Sequence, residues 1–524
     1  MRQSFKVVLS LGLILSGPGC GDYLSGPGVD QDPNNVINLK KAGPLYLGIQ
    51  AAGPPQREGQ LARYAAMYTQ QLAGVARQQA DFDLYGAAAS DIDTYFGAIY
   101  GASNVLTGGG GLLDIHKLQQ LGRAAGDSLY VGIGKVYEAM SMGFAADLFG
   151  DVPYRQAADS TILTPAFDPQ LQVYADLQTQ LDSAITIFLA AAGPTNLGPS
   201  TEAAEQAELI YADRDAAGLR AVYTAVAHSL KARLYMHTAE TNAAAYALAL
   251  AEVPLGILSP ADDFLWFHDL TATGANIWWQ FNSARTGDLA PGAALTEIVK
   301  RRIAGGVEDA LRIGFYFTPT ASGGFFGNRP GGTTNMPTNG VIYNGNGDPA
   351  DGTFSQFGAA FDGASASSDF RQPEITFAET QLIGAEAAVA TGGSGQAFLD
   401  AARANRTYGT QIFGPAPGAL PATLQNIIEE KYVTLFLNPE VWNDYKRTCL
   451  PSLATAPSST APGSPPRATP IPGRLPYGQS EQNANPNVPT VNSAGQPVTS
   501  TGQNPNDPNP CPVLDYTSST PLAN

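Results

Sequence analysis

Cations are scarce. Of 524 residues only 29 are Lys or Arg, against 46 Asp or Glu, and the formal net charge is −17. Binding to a phosphate backbone or to anionic lipid runs on clustered Lys and Arg, so this balance argues against nucleic acid and against simple membrane adsorption. Histidine is scarcer still, four residues at 116, 228, 237 and 268, with no His-Glu-x-x-His pair for a metalloprotease. Past residue 20 no uninterrupted apolar run reaches about 18 residues, the length a membrane-spanning helix needs. Disorder is not expected either, because only 14% of residues are charged while 44% are hydrophobic.

There are three cysteines, and each has a reading. Arg2 and Lys6 precede an apolar stretch, Val7 to Leu15, then Ser16-Gly17-Pro18-Gly19-Cys20. Residues 1–19 have the form of a signal peptide, too short to remain in a bilayer as a helix. A Cys directly after the small residues resembles a bacterial lipobox, whose thiol is acylated, although Gly17 stands where Leu is usual. Cys20 is therefore the expected lipid anchor. Cys449 and Cys511 remain, an even number in an oxidising compartment, and a disulfide between them is expected. Two unrelated thiols are the alternative.

Residues 20–44 form a polar tether containing Asp32-Pro33-Asn34-Asn35, and the body runs from 45 to 450. Apolar residues there step by three and four: Leu61, Tyr64, Tyr68, Leu72 and Val75; Leu129, Ile133, Val136, Met140, Phe144 and Leu148; Tyr174, Leu177, Leu181, Ile185 and Phe188. Each set predicts one stripe of an amphipathic helix. Residues 219–251 predict a helical hairpin turning near Thr241-Asn242, weakly tetratricopeptide-like. The expected fold is all-α, with a large irregular loop insertion over about 255–372. Residues 451–524 hold 16 of the 39 prolines, so that segment builds no core of its own and either packs on the body or stays mobile.

Several motifs only look like chemistry. Gly126-Asp127-Ser128-Leu129 spells an esterase signature, but no His has an Asp three residues before it and Ser128 opens a helical pattern. Gly132-Ile133-Gly134-Lys135 lacks the remaining residues of a phosphate loop and predicts close helix packing instead. Asn344, Asn346, Asp348 and Asp351 alternate as in a calcium loop, without its turn Gly or closing Glu. Asp262-Asp263 and Glu429-Glu430 predict caps or a solvated face. No catalytic set, metal site or cofactor is expected.

Three of the four Trp fall within about fifteen residues. Trp266, Trp278, Trp279 and Phe281 are the candidate ligand platform, since flat aromatic faces suit sugar rings and other flat, partly apolar ligands. Core anchors are the competing reading.

Motifs spread along the chain resemble the SusD/RagB family of outer-membrane nutrient-binding lipoproteins. They begin with the helix running into Phe149-Gly150-Asp151-Val152-Pro153-Tyr154, followed by Leu230-Lys231-Ala232-Arg233-Leu234-Tyr235 and Asp309-Ala310-Leu311-Arg312. Arg371-Gln372-Pro373-Glu374 through Glu379, Ala385-Glu386-Ala387, Glu430-Lys431-Tyr432 and Glu440 to Arg447 come next, then Arg474-Leu475-Pro476-Tyr477 and Asn483 to Asn487. The resemblance implies a tetratricopeptide-like scaffold and no catalysis. It also implies a lipid-anchored, cell-surface protein that takes up a nutrient, a glycan or else an oligopeptide, for a TonB-dependent, SusC-like transporter. No ligand site transfers with it, and a helical scaffold without a small ligand remains the alternative.

Overall fold

The computed structural model describes residues 41–101, 109–159, 161–190, 207–321, 323–330, 355–453, 456–457, 468–490 and 511. Cys20 and the Asn344 to Asp351 loop lie outside them. Contacts divide the chain after Ala42, and Gly43–Asn524 forms the body. No helix among the described residues is long and apolar enough to cross a membrane.

Helices α1 (Ala42–Arg57) and α2 (Gln60–Tyr68) open the body and bury Tyr46, Ile49, Leu61, Tyr64 and Tyr68. The expected stripe does not continue past Tyr68. Gln70 turns the chain with a positive φ of 57°, and Leu72–Gly74 becomes a strand paired antiparallel with Leu289–Pro291. Spacing of three and four placed Leu72 and Val75 on a helix face, but a buried strand needs the same apolar residues.

Helices α3 (Arg77–Asp83) and α4 (Ala89–Tyr100) lead to the helical array. Its first members are α5 (Leu112–Ala125) and α6 (Ser128–Phe149), followed by α7 (Gln170–Leu189), α8 (Ala216–Thr238) and α9 (Ala244–Glu252). Each packs on the next, and two short connections make hairpins of α5–α6 and α8–α9. Gly126 closes α5 in the left-handed region, and Asp127 Oδ1 caps α6 by accepting from the Leu129 and Tyr130 amides. The esterase-like tetrapeptide is thus a turn between helices.

Nearly all of α6 is buried, including Leu129, Ile133, Val136, Met140 and Leu148. Each such side chain contributes about 1.5 to 3 kcal/mol of transfer free energy. Gly132 and Gly134 let its neighbours close in. A Cβ at Gly132 would lie 2.3 Å from Phe188 Cε1 of α7, and one at Gly134 2.6 Å from Gln119 Cγ of α5.

The stretch 255–372 is more helical than its composition implies: α10 (Ile277–Ala284), α11 (Ala293–Ala304) and α12 (Leu311–Tyr316) lie within it. Asn276 starts α10 by accepting from the Trp278 and Trp279 amides. Helices α13 (Phe377–Ala390), α14 (Gln396–Ala404) and α15 (Leu424–Thr434) extend the array, with α13 packed on α9, α14 and α15. Then come α16 (Glu440–Thr448) and α17 (Gln479–Ala484).

The described part of the C-terminal segment packs on the body. The Leu475 amide donates to Leu148 O at 2.7 Å, Tyr477 Oη to Asp151 O at 2.8 Å, and Trp442 Nε1 to Pro472 O at 2.8 Å. Cys449 and Cys511 are joined as a disulfide.

Candidate functional site

Two of the four proposed platform residues face the core. Trp266 follows the strand Phe264–Leu265, paired antiparallel with Pro373–Ile375, and is 2% exposed; Trp278 is fully buried. The Trp266 ring lies against Gly53, where a Cβ would come within 2.1 Å of it. On the eight-residue α10, Trp278 and Asn282 share the inward face at i, i+4. Trp279 and Phe281 are half-buried. Trp279 Nε1 donates to Ser365 O at 3.1 Å, and the Arg63 guanidinium stacks 4.2 Å from the Phe281 ring centroid. The structure therefore removes Trp266 and Trp278 as open faces and leaves Trp279 and Phe281 partly exposed.

The residues of the shared motifs form buried ion networks. Glu374 receives Arg57, Arg233 Nη1 at 3.4 Å and Trp266 Nε1 at 3.0 Å. Arg233 grips Glu379 with two bonds of 2.6 Å. Burial alone would raise the Glu374 pKa, but the Arg57 and Arg233 charges outweigh it and hold the carboxylate below its usual range. Glu430 receives Arg302 from α11, Arg312 from α12 and Arg403 from α14. Lys431, Glu386, Asp444 and Arg447 form a third network.

The expected solvated face at Glu429-Glu430 is thus overturned: both are buried, because three guanidinium groups from distant helices neutralise Glu430 and Arg301 binds Glu429. Asp263 is a cap, accepting the first amide of α13 from Phe377 at 2.7 Å.

Asp147, His237 and Glu440 lie close enough to hold a cation. Their geometry fits a proton instead. His237 Nδ1 is 2.9 Å from Asp147 Oδ1 and Nε2 is 2.6 Å from Glu440 Oε1, so a carboxylate lies beside each ring nitrogen and an imidazolium pairs with both charges. Burial disfavours that charge, but Asp147 and then Glu440 raise the pKa to about 9.

A polar cleft of about 550 Å³ opens where α5, α6 and α7 meet the Tyr154-Arg155 turn, within the roughly 300–1,000 Å³ range of small-molecule sites. Helix α5 supplies His116, Gln119 and Arg123 at i, i+3 and i+7; α6 supplies Lys135 and Glu138; α7 supplies Asp176, Thr179 and Gln180. Asp168 Oδ2 accepts from the Tyr154 and Arg155 amides at 3.0 and 2.8 Å, fixing the wall.

The carboxylates of this cleft are already engaged. Glu138 accepts from Gln119 Nε2 at 2.7 Å and Tyr154 Oη at 2.8 Å, with His116 Nε2 at 3.4 Å. Asp176 takes the Arg155 fork at 2.7 and 3.0 Å. Sequence reading missed this site, because polar residues at helix spacing beside the apolar stripe of Leu112, Ile115 and Leu118 also describe its ordinary solvated border.

Comparison with known proteins rests on this whole body. A SusD-like family model, described as starch-binding and associating with the outer membrane, matches residues 60–478. No curated protein matches the chain. A SusD/RagB family protein from Bacteroides thetaiotaomicron aligns at 18% identity over 85% of this chain and 95% of its own, with a TM-score of 0.63. A chitin-binding protein aligns at 19% identity over 85% and 95%, with a TM-score of 0.64. A SusD-like protein, also from Bacteroides thetaiotaomicron, aligns at 19% over 89% and 98%, with a TM-score of 0.63. At these identities the solved structures establish the tetratricopeptide-like helical fold, and the match across the described body establishes descent: the chain belongs to the SusD-like family of outer-membrane nutrient-binding proteins.

Proposed function

We propose that this protein captures a glycan outside the outer membrane, held there by acyl chains on Cys20, and passes it to a TonB-dependent transporter of the SusC type without catalysing a reaction. The observation that carries the reading is the family match over residues 60–478, described as starch-binding and associating with the outer membrane. A fold shared with a chitin-binding protein supports the glycan class. The half-buried Trp279 and Phe281 keep aromatic surface of the kind sugars pack against. The transporter contact is tested by mild-detergent purification from native membranes, in which a large β-barrel protein should co-elute. Recovery of this chain alone, at native expression, counts against it. Cys20→Ser should move the protein from the membrane to the soluble fraction, and an unchanged distribution contradicts the anchor.

A further inference from the structure

In the cleft between α5, α6 and α7, anions and cations are satisfied unequally. Glu138 is 4% exposed, and its oxygens are occupied by Gln119 and Tyr154. Asp176 is held by both arms of Arg155. By contrast Lys135 donates only to Gln180 Oε1, at 2.5 Å, and Arg123 only to Gln119 Oε1, at 3.0 Å. Neither makes an ion pair among the described residues.

An ammonium has three N–H donors and a guanidinium five, so both cations keep donors to spare. They reach the cleft from adjacent helices, Arg123 near the end of α5 and Lys135 in the second turn of α6. Burial weakens the hold of Lys135 on its proton, and the nearby Arg123 charge adds to that; Glu138 opposes it. A bound anion would offset both costs. The setting is unusual for a chain of net charge −17: Lys135 and Arg123 share a cleft whose carboxylates, Glu138 and Asp176, are already engaged.

We infer that this cleft is a binding site for a carboxylate-bearing sugar, with Lys135 and Arg123 taking the carboxylate and Gln180 and Thr179 facing the ring hydroxyls. The inference rests on the glycan reading above and narrows it to uronic acids. It also assigns them to a surface whose lining does not include Trp279 or Phe281. Carboxylate recognition by Lys and Arg is charge-assisted and roughly twice as strong as recognition by neutral donors.

The test is calorimetric titration of the full mature chain with a panel of neutral and uronic-acid oligosaccharides, maltotriose and trigalacturonate among them, at low and high ionic strength. Trigalacturonate should bind, weaken with salt, and lose about tenfold or more in affinity in Lys135→Gln, equivalent to about 1.4 kcal/mol. Lys135→Arg should retain most of it. The exposed Arg123→Gln provides a second variant whose melting curve should match the parent, and it should lose affinity in the same direction. Neutral sugars should bind all variants alike. Trigalacturonate binding that ignores both substitutions, or binding of neutral sugars only, overturns this site and leaves the glycan reading standing. Failure of every sugar in the panel overturns both.

Discussion

Trp266 donates its indole N–H to Glu374 Oε2 at 3.0 Å, and the same carboxylate receives Arg57 and Arg233. The ring seals an ionic core on one side and rests on Gly53 on the other. A side chain in that position acts on stability. Trp266→Ala should destabilise the protein by about 3 to 5 kcal/mol, the usual loss for a buried Trp, while the folded fraction keeps its ligand affinity. Denaturant unfolding beside calorimetry separates the two effects.

Helix packing at Gly132 gives a second prediction with an unusual sign. Ala in place of Gly inside a helix ordinarily stabilises by about 1 kcal/mol. Here the added Cβ meets Phe188 Cε1 at 2.3 Å, and overpacking of that kind costs about 1 to 3 kcal/mol. Gly132→Ala should therefore lower the melting temperature, and Phe188→Leu in the same chain should recover part of the loss. A stabilised single variant would show that α6 and α7 are less closely packed.

His237 links stability to pH. Its folded pKa is raised to about 9 against an ordinary 6.5; burial opposes the charge, and Asp147 and Glu440 prevail. A group that holds its proton more tightly when folded contributes fully below the unfolded pKa and loses that contribution as pH rises through the folded one. Unfolding free energy should therefore fall by on the order of 3 kcal/mol between pH 6.5 and 9 through this group. His237→Gln should start lower at pH 6, because it removes the cation lying between two buried carboxylates, and should show a flatter decline over the same window.

The Cys449–Cys511 bridge spans 62 residues in sequence. Chain entropy assigns such a closure about 4 kcal/mol at most. Near it, Leu453, Ala294 and Tyr445 pack together with Ile471 and Cys511 against them. Cys511→Ala should speed proteolysis within residues 451–524 while the helical body keeps most of its melting temperature. Non-reducing peptide mapping of the parent should return one linked pair, and two alkylatable thiols would contradict it.

Helices were legible wherever an apolar stripe served only a helix, as from Leu129 to Leu148, all of it inside α6. The reading failed at Leu72 and Val75, where the same spacing ran on into the strand Leu72–Gly74 and the residue just after it. It also failed at Glu430, whose neutralising partners Arg302 and Arg312 lie more than a hundred residues upstream, so that only the fold brings them together. The Trp cluster was visible as density, yet density does not tell which rings face out. Trp266 is closed by Glu374, 108 residues away.

The family motifs were legible for a related reason. Arg233, Glu374, Glu379, Glu386, Glu430, Lys431, Glu440 and Asp444 are all buried ionic residues of the scaffold. Such residues are constrained by one another, because removing one partner leaves an unpaired buried charge. The motifs therefore mark the architecture, and the ligand-facing residues carry no comparable signal.

The central claim is that this scaffold holds a glycan, and equilibrium titration of the mature protein with matched glycan and oligopeptide panels tests it most directly. The account predicts saturable binding to at least one glycan class, weakened by Trp279→Ala or Lys135→Gln according to which surface that glycan uses, and no saturable binding of peptides. Binding confined to the oligopeptides, with every glycan inert, would contradict it.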